Sequence, residues 1–300
     1  MEVRHLRLLR ELRDRGSVAA VAAATYRTPS AVSQQLRTAA RELGVALVEP
    51  AGRGVRLTDA GRLLADGAVE VDAALERVQA RLDAFRGQPS GLVRVVAFPS
   101  AAELLFPPLL TALAEEPVTV RCTDLDVREA DFGGLARDAD LVVAHSLTGR
   151  APAGTEGLVA TVLLREPVDV ALPATHPLAT HAALTPEQVV DEPWISVPAG
   201  YPFATVLASV EGATGRRAAV TGRVRDNRLV EALVRAGQGI ALLPRFTTRA
   251  DDGLVLRPLE GVRAARWVVL LARPDRAERA VVRRVSDALV AIGAGWDTPA

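Results

Sequence analysis

Four polar side chains, Ser30, Ser33, Gln34 and Arg37, fall on one face of a helix predicted over residues 30–43 by the spacing of Val32, Leu36, Ala39, Ala40 and Leu43. Hydroxyl, amide and guanidinium groups in this arrangement reach base edges and phosphates in a DNA major groove. Thr28 can cap the helix, because its hydroxyl can accept from an orphan backbone N–H. Pro29 follows where its missing N–H costs nothing. The chemistry is recognition of a duplex, with Thr28, Pro29, Ser30, Ser33, Gln34 and Arg37 as candidate DNA-binding residues. Arg53 and Arg56 join them from a short hairpin downstream. Arg53, at the tip of Gly52-Arg53-Gly54, either reaches the sugar-phosphate backbone or minor groove or is a solvated turn residue.

Catalytic patterns are missing. His5, His145, His176 and His181 are scattered, with no Cys or carboxylate at metal-ligand spacing. Cys122 reads as a small apolar residue of a strand. Gly237-Gln238-Gly239 precedes a strand instead of following one, so it reads as a helix end and not a dinucleotide loop. There is no nucleophile elbow and no phosphate-binding loop. The expectation is a protein that is not an enzyme and uses no cofactor or metal.

The elements that must position the recognition helix surround it. Leu6, Leu9 and Leu12 place a first helix over 4–15, and the small residues 18–24 place a second. Residues 47–49 and 55–57 can pair as a wing. Thr58-Asp59 then opens a long helix with capping and dipole logic. Along it Leu64, Ala68, Val71, Leu75, Val78, Leu82 and Phe85 alternate spacings of four and three, an a/d seam of about three heptads. Such a seam seeks a partner helix. The simplest partner is a second copy in a twofold dimer, and the alternative is packing on its own chain. Gly87-Gln88-Pro89-Ser90-Gly91 ends the helix and makes a linker.

Beyond residue 91 strands alternate with helices. Strands are predicted at 92–98, 118–123, 140–145, 158–164, 167–173, 193–197, 218–225, 239–243, 254–258 and 266–272. Helices are predicted at 101–115, 127–137, 185–191, 203–213, 227–236 and 275–292. This order argues for a parallel or mixed sheet covered by helices. Ligands of such sheets sit beyond the carboxyl ends of the strands. The polar residues expected there are Ser100, Thr123, Asp124, His145, Ser146, Ser196 and Asp226. Ser100 begins a helix, so its hydroxyl and the backbone N–H of Ala101 could hold a carboxylate, or Ser100 could be a plain helix cap. Asp124 and Asp226 could receive a positive group. The expected effector is therefore a small molecule bearing a carboxylate, with an amine as an option.

The first sixty residues resemble the DNA-binding end of LysR-type transcriptional regulators. Gly16-Ser17, Ala20, Pro29-Ser30-Ala31-Val32-Ser33 with Gln35, Leu43-Gly44, Leu47, Leu57-Thr58 and Ala60-Gly61 fall at that family's spacing. The chain departs from it at Ala39-Ala40, Val48 and Pro50. A looser likeness continues through 91–95, 140–144, 176–179 and 236–244. The resemblance implies an α+β multidomain protein: an N-terminal winged helix-turn-helix over 1–58, a linker and dimerisation helix over 59–88, and a two-lobed α/β effector domain over 89–297, similar to a periplasmic binding protein. Lobe I would comprise 89–160 plus 266–297, and lobe II 161–265. The resemblance also implies an effector contact at Ser100 and near Ser196, promoter or operator DNA as partner, and a homotetramer built from dimers.

Composition agrees with this division. Three hundred residues suggest two domains of about 150 each. Net charge is zero, yet residues 1–65 hold eleven arginines against six acids, a surplus of five, and the remainder carries the matching deficit. A basic module on an acidic body suits a phosphate-seeking head. Every basic residue is Arg, the better bidentate partner of phosphate and guanine. No apolar run approaches the roughly 20 residues that span a bilayer, and the chain opens on charged helical sequence where a signal peptide would be apolar. With a single cysteine, these features point to the cytoplasm, without membrane attachment. The competing reading is a cytoplasmic small-molecule-binding protein whose N-terminal region only dimerises.

Overall fold

The computed structural model describes residues 1–52, 54–85 and 89–296. The chain divides into two compact units, Met1–Gly87 with Pro274–Ala280, and Gln88–Arg273 with Val281–Ala300.

The first unit begins with α1 (Val3–Arg15), α2 (Val18–Ala24) and α3 (Pro29–Leu43). Each helix is bounded by local chemistry. The Ser17 hydroxyl accepts from Ala20 N at the start of α2, and the Thr28 hydroxyl accepts from Ala31 N at the start of α3. Gly16 and Gly44 take left-handed conformations at the ends of α1 and α3, which glycine adopts without a Cβ penalty. The wing is β1 (Val48–Ala51) antiparallel to β2 (Gly54–Leu57), with Val48 opposite Leu57 and Glu49 opposite Arg56. Leu9, Leu12, Val21, Val32, Leu36, Leu47 and Leu57 close one core beneath these elements.

The long helix α4 (Asp59–Phe85) starts against that core. Thr58 anchors it twice, donating to Ala46 O at 2.7 Å and accepting from Gly61 N at 3.1 Å. The seam of α4 divides. Ala68 is buried and Leu64 packs on the core of its own head, whereas Leu75, Val78, Leu82 and Phe85 stand exposed, with Val71 half-buried between them. Asp72, on the same helix, is buried and accepts from Arg7 and Arg10 of α1.

The second unit runs β3 (Gly91–Ala97), α5 (Pro99–Ala112), β4 (Val118–Asp124), α6 (Phe132–Leu135), β5 (Leu141–Ser146), β6 (Val159–Pro173), α7 (Pro186–Val189), β7 (Pro193–Ser196), α8 (Pro202–Thr214), β8 (Ala219–Arg223), α9 (Asn227–Arg235), β9 (Ile240–Pro244), β10 (Leu254–Arg257) and β11 (Ala265–Ala272). The short α10 (Pro274–Ala277) belongs by its contacts to the first unit, and α11 (Ala280–Ala294) closes the chain. The strands form one mixed sheet in the order β4-β3-β5-β11-β6-β9-β7-β8, with β10 also paired to β6.

The strand β6 joins the two halves of this sheet. Its residues 159–167 pair with β11, and from Val168 onward it pairs with β9 and β10. The exchange of partners falls at Pro167/Val168, where the sequence reading draws the lobe boundary at 160/161. It also merges two strands expected at 158–164 and 167–173, with Glu166, between them, buried inside the continuous strand. Three expected helices come out shorter or divided, and 185–191 gives only Pro186–Val189. The stretch 127–137 yields only a 3-10 turn at Glu129–Asp131 and α6, since Gly133 and Gly134 weaken helix propensity. The expected helix 275–292 is split into α10 and α11.

Candidate functional site

The outer face of α3 is polar and accessible. Pro29, Ser30, Gln34, Arg37 and Arg41 are exposed, with Ser33 half-buried between them. Arg37 Nη2 donates to Gln34 Oε1 at 2.8 Å, so the two candidate base-reading side chains are held together. The Thr28 and Ser30 hydroxyls lie 3.0 Å apart. Arg27 donates to Gln35 at 2.7 Å. Tyr26, at the turn before α3, is 98% exposed and has a φ of 54°, a left-handed conformation uncommon outside glycine. Arg56 lies on the wing, 2.8 Å from Glu49. Arg53 lies outside the described residues.

The second unit contains a cleft of about 520 Å³, lined from one side by the start of α5 and β5 and from the other by the starts of α8 and α9. Its floor is a buried charge assembly. Arg266 of β11 donates from Nε and Nη2 to Glu166 Oε2 at 2.8 and 2.6 Å, and from Nη2 to the Ser100 hydroxyl at 2.7 Å. Arg266 is 3% exposed and Glu166 2%, so the pair is almost wholly desolvated. Removing either partner of such a pair leaves a costly buried charge. The guanidinium lies 4.6 Å from the Phe98 ring centroid and 5.4 Å from that of Phe203, within cation–π range.

His145 sits beside this assembly, with its ring edge-on to Phe98 and Phe132. It is 3% exposed, and its Nδ1 finds no hydrogen-bond partner among the described residues. Burial, and then the Arg266 charge, hold its pKa down to about 3, so the imidazole is neutral. At the mouth, Arg228 of α9 pairs with Glu103 of α5 across the cleft and with Glu231 at 3.0 Å. Arg225 lies 3.8 Å from Asp126 and donates to the Tyr201 hydroxyl at 3.2 Å. Burial pushes the Asp126 carboxyl up, with Arg225 opposing it.

Of the residues expected to hold an effector, Ser100, His145 and Asp226 line this cleft. Ser100 is no helix cap: Phe98 holds the N-cap position of α5 without a side-chain cap, and the Ser100 hydroxyl is engaged by Arg266. Ala101 is buried behind it. Asp226 caps α9, accepting from Leu229 N at 2.9 Å through one of its two carboxylate oxygens. Ser196 lies in an adjoining hollow with Asn227 and Phe203. Thr123, Asp124 and Ser146 do not line the cleft. Successive residues of a strand face opposite sides of a sheet, and Thr123 shares a different depression with Arg94, Val96 and Arg121. Asp124 is exposed at the end of β4. Ser146 is fully buried and accepts from Gly149 N.

The sequence reading missed Glu103, Asp126, Arg225, Arg228, Arg266 and Glu166. One of these had a signal. Arg266 is an isolated charge in an otherwise apolar strand, and lone charges there are retained when they pair.

Residues 3–62 match the model of the bacterial regulatory helix-turn-helix protein, lysR family, and residues 86–293 that of the LysR substrate binding domain. The chain belongs to the LysR family. Among LysR relatives it is 26% identical over 283 residues to the transcriptional dual regulator GltC of Bacillus subtilis, covering 92% of each chain. Its fold is that of full-length OxyR from Pseudomonas aeruginosa, at a TM-score of 0.67 and 19% identity, over 98% of this chain and 94% of the other. Full-length CbnR complexed with its target DNA has the same fold, at a TM-score of 0.55 and 19% identity, over 98% of this chain and all of the other. LysR proteins are transcriptional regulators that join a DNA-binding head to an effector-binding domain, and this chain has both parts. The reading in which the head only dimerises is thereby set aside. Among the described residues no helix is long and apolar enough to cross a membrane.

Proposed function

We propose that two copies of this regulator pair along α4 and lay their α3 helices into successive major grooves of promoter DNA in the cytoplasm. The exposed polar face of α3 carries this reading: Gln34 and Arg37 stand together on it. Ser33, Gln34 and Arg37 contact bases or phosphates, while Thr28, Ser30, Arg53 and Arg56 mainly fix position. The exposed Leu75, Val78, Leu82 and Phe85 supply the seam between copies. Two such dimers join through their second units into a tetramer.

The effector is a small molecule held in the cleft beside Ser100 and His145. It acts by binding one arrangement of the two lobes better than the other, since a ligand with equal affinity for both shifts nothing.

Fluorescence anisotropy of the intact protein on a duplex from its own upstream region tests the reading. Arg37→Ala is expected to weaken binding by about 1–3 kcal/mol if the side chain reads a base. Unchanged affinity and unchanged salt dependence in that variant would remove α3 from the interface.

A further inference from the structure

Every arginine of the cleft wall is already engaged, and this restricts what can enter. Its three arginines all have carboxylate partners. Arg266 is held by Glu166, Arg228 by Glu103 and Glu231, and Arg225 lies beside Asp126. An anion entering alone must draw an arginine away from its carboxylate and leave that carboxylate unpaired in a narrow space. An ammonium that takes Glu103 alone leaves Arg228 with Glu231 only and sets a second cation beside it. A ligand carrying both charges avoids either cost, because it can replace an ion pair with two new ones.

The pair open to such replacement is Glu103 with Arg228. Both side chains are more than two-fifths exposed, at the mouth, and they come from helices on opposite sides of the cleft. Arg266 with Glu166 is buried and fixed by three hydrogen bonds. Two further groups can orient a carboxylate or ammonium inside. The Ser100 hydroxyl accepts from Arg266 and still has its own proton to donate. His145 Nδ1 is buried without a partner. The remaining lining includes Phe98, Phe203, Val197 and Leu229, which suit an apolar side chain. About 520 Å³ is within the usual range for a small-ligand site and ample for one amino acid.

We propose that the effector is a zwitterion of the α-amino acid type with an apolar side chain, whose carboxylate takes Arg228 and whose ammonium takes Glu103, unlocking the ion pair that spans the cleft. This rests on the reading of the cleft as the effector site.

Isothermal titration calorimetry on the intact protein tests it, with the twenty common amino acids. Each binder is matched by the same compound lacking its amine and by the same compound lacking its carboxylate. At least one apolar amino acid is expected to bind, with both truncated forms at least tenfold weaker. Glu103→Gln should erase most of the preference for the amine, with an unchanged thermal melt because the side chain is half-exposed, and Arg228→Gln most of that for the carboxylate, with Arg235 still holding the buried Glu231. A deaminated acid that binds as tightly as its parent and loses affinity in Ser100→Ala would overturn the zwitterion and keep the cleft. An amino acid whose affinity is unmoved by Ser100→Ala, Glu103→Gln and Arg228→Gln would overturn the cleft as its site, and the proposal with it. No heat from any of the twenty would overturn the ligand class.

Discussion

Arg10 and Asp275 stand 265 positions apart in the chain and meet in an ion pair of 3.3 Å, both almost fully buried. Arg10 also donates to Asp72 of α4 at 2.6 Å, and Arg7 holds the other oxygen of Asp72 at 2.7 Å. One charge cluster therefore ties α1, α4 and α10 inside the first unit. Asp72→Ala leaves Arg10 short of its nearest anion and should destabilise the protein by about 3–5 kcal/mol, as breaking a buried pair does. Urea denaturation followed by circular dichroism checks this, and an unfolding midpoint like that of the unaltered protein would show that the cluster contributes nothing.

Gly61 is fixed by close approach. A Cβ at this position would lie 2.1 Å from the carbonyl oxygen of Leu47, a backbone atom of the segment entering the wing. Gly61→Ala must push α4 away from that segment and should cost about 1–3 kcal/mol, the usual range for overpacking. Because the displaced residues carry the wing, DNA affinity should fall as well. A variant with unaltered melting temperature and DNA binding would mean that the helix start is free to move.

The head was legible because its signals are local. Ser17 and Thr28 cap the helices that follow them, Pro29 sits at a first helical position, and the leucine spacing of α1 needs only a few residues to read. The cleft was not legible in the same way. Glu103 and Arg228 are 125 positions apart, Ser100 and Arg266 166. No local pattern announces which charges a fold will bring together. Ser100 was found as a polar residue at a strand end, but its engagement by Arg266 could only come from the register of β11. Asp226 lines the cleft and also caps α9, a local duty that the sequence reading did not assign to it. The seam of α4 was readable as a seam; that its first part serves the head's own core depends on how α1 and the wing pack.

His145 gives the fold a pH dependence with a definite sign. Its pKa is lowered from 6.5 to about 3, so below pH 6.5 the unfolded chain takes up a proton that the folded chain refuses. The stability this group contributes is complete above pH 6.5 and is lost as pH falls toward 3, at up to about 1.4 kcal/mol per unit. Between about pH 7 and about pH 5 the unaltered protein should lose about 2 kcal/mol more than His145→Gln. Parallel losses in the two proteins, measured by urea denaturation, would mean that the imidazole is protonated in the fold.

Leu75, Val78, Leu82 and Phe85 recur at spacings of three and four, and Val78 is 55% and Phe85 89% exposed. A continuous apolar stripe of this kind marks an interaction surface. Replacing both Leu75 and Val78 by Glu should abolish pairing along α4 and lower the assembly mass in sedimentation equilibrium while leaving its circular dichroism intact. A double variant with the assembly mass of the unaltered protein would move the interface elsewhere.

The most direct test of paired recognition helices is a hydroxyl-radical footprint of the intact protein on its own upstream duplex. Two protected patches on one face of the DNA, about 34 Å or a multiple of that apart, are expected. Both should vanish together in the Leu75→Glu, Val78→Glu double variant. A single patch, or two that survive in that variant, would contradict the account.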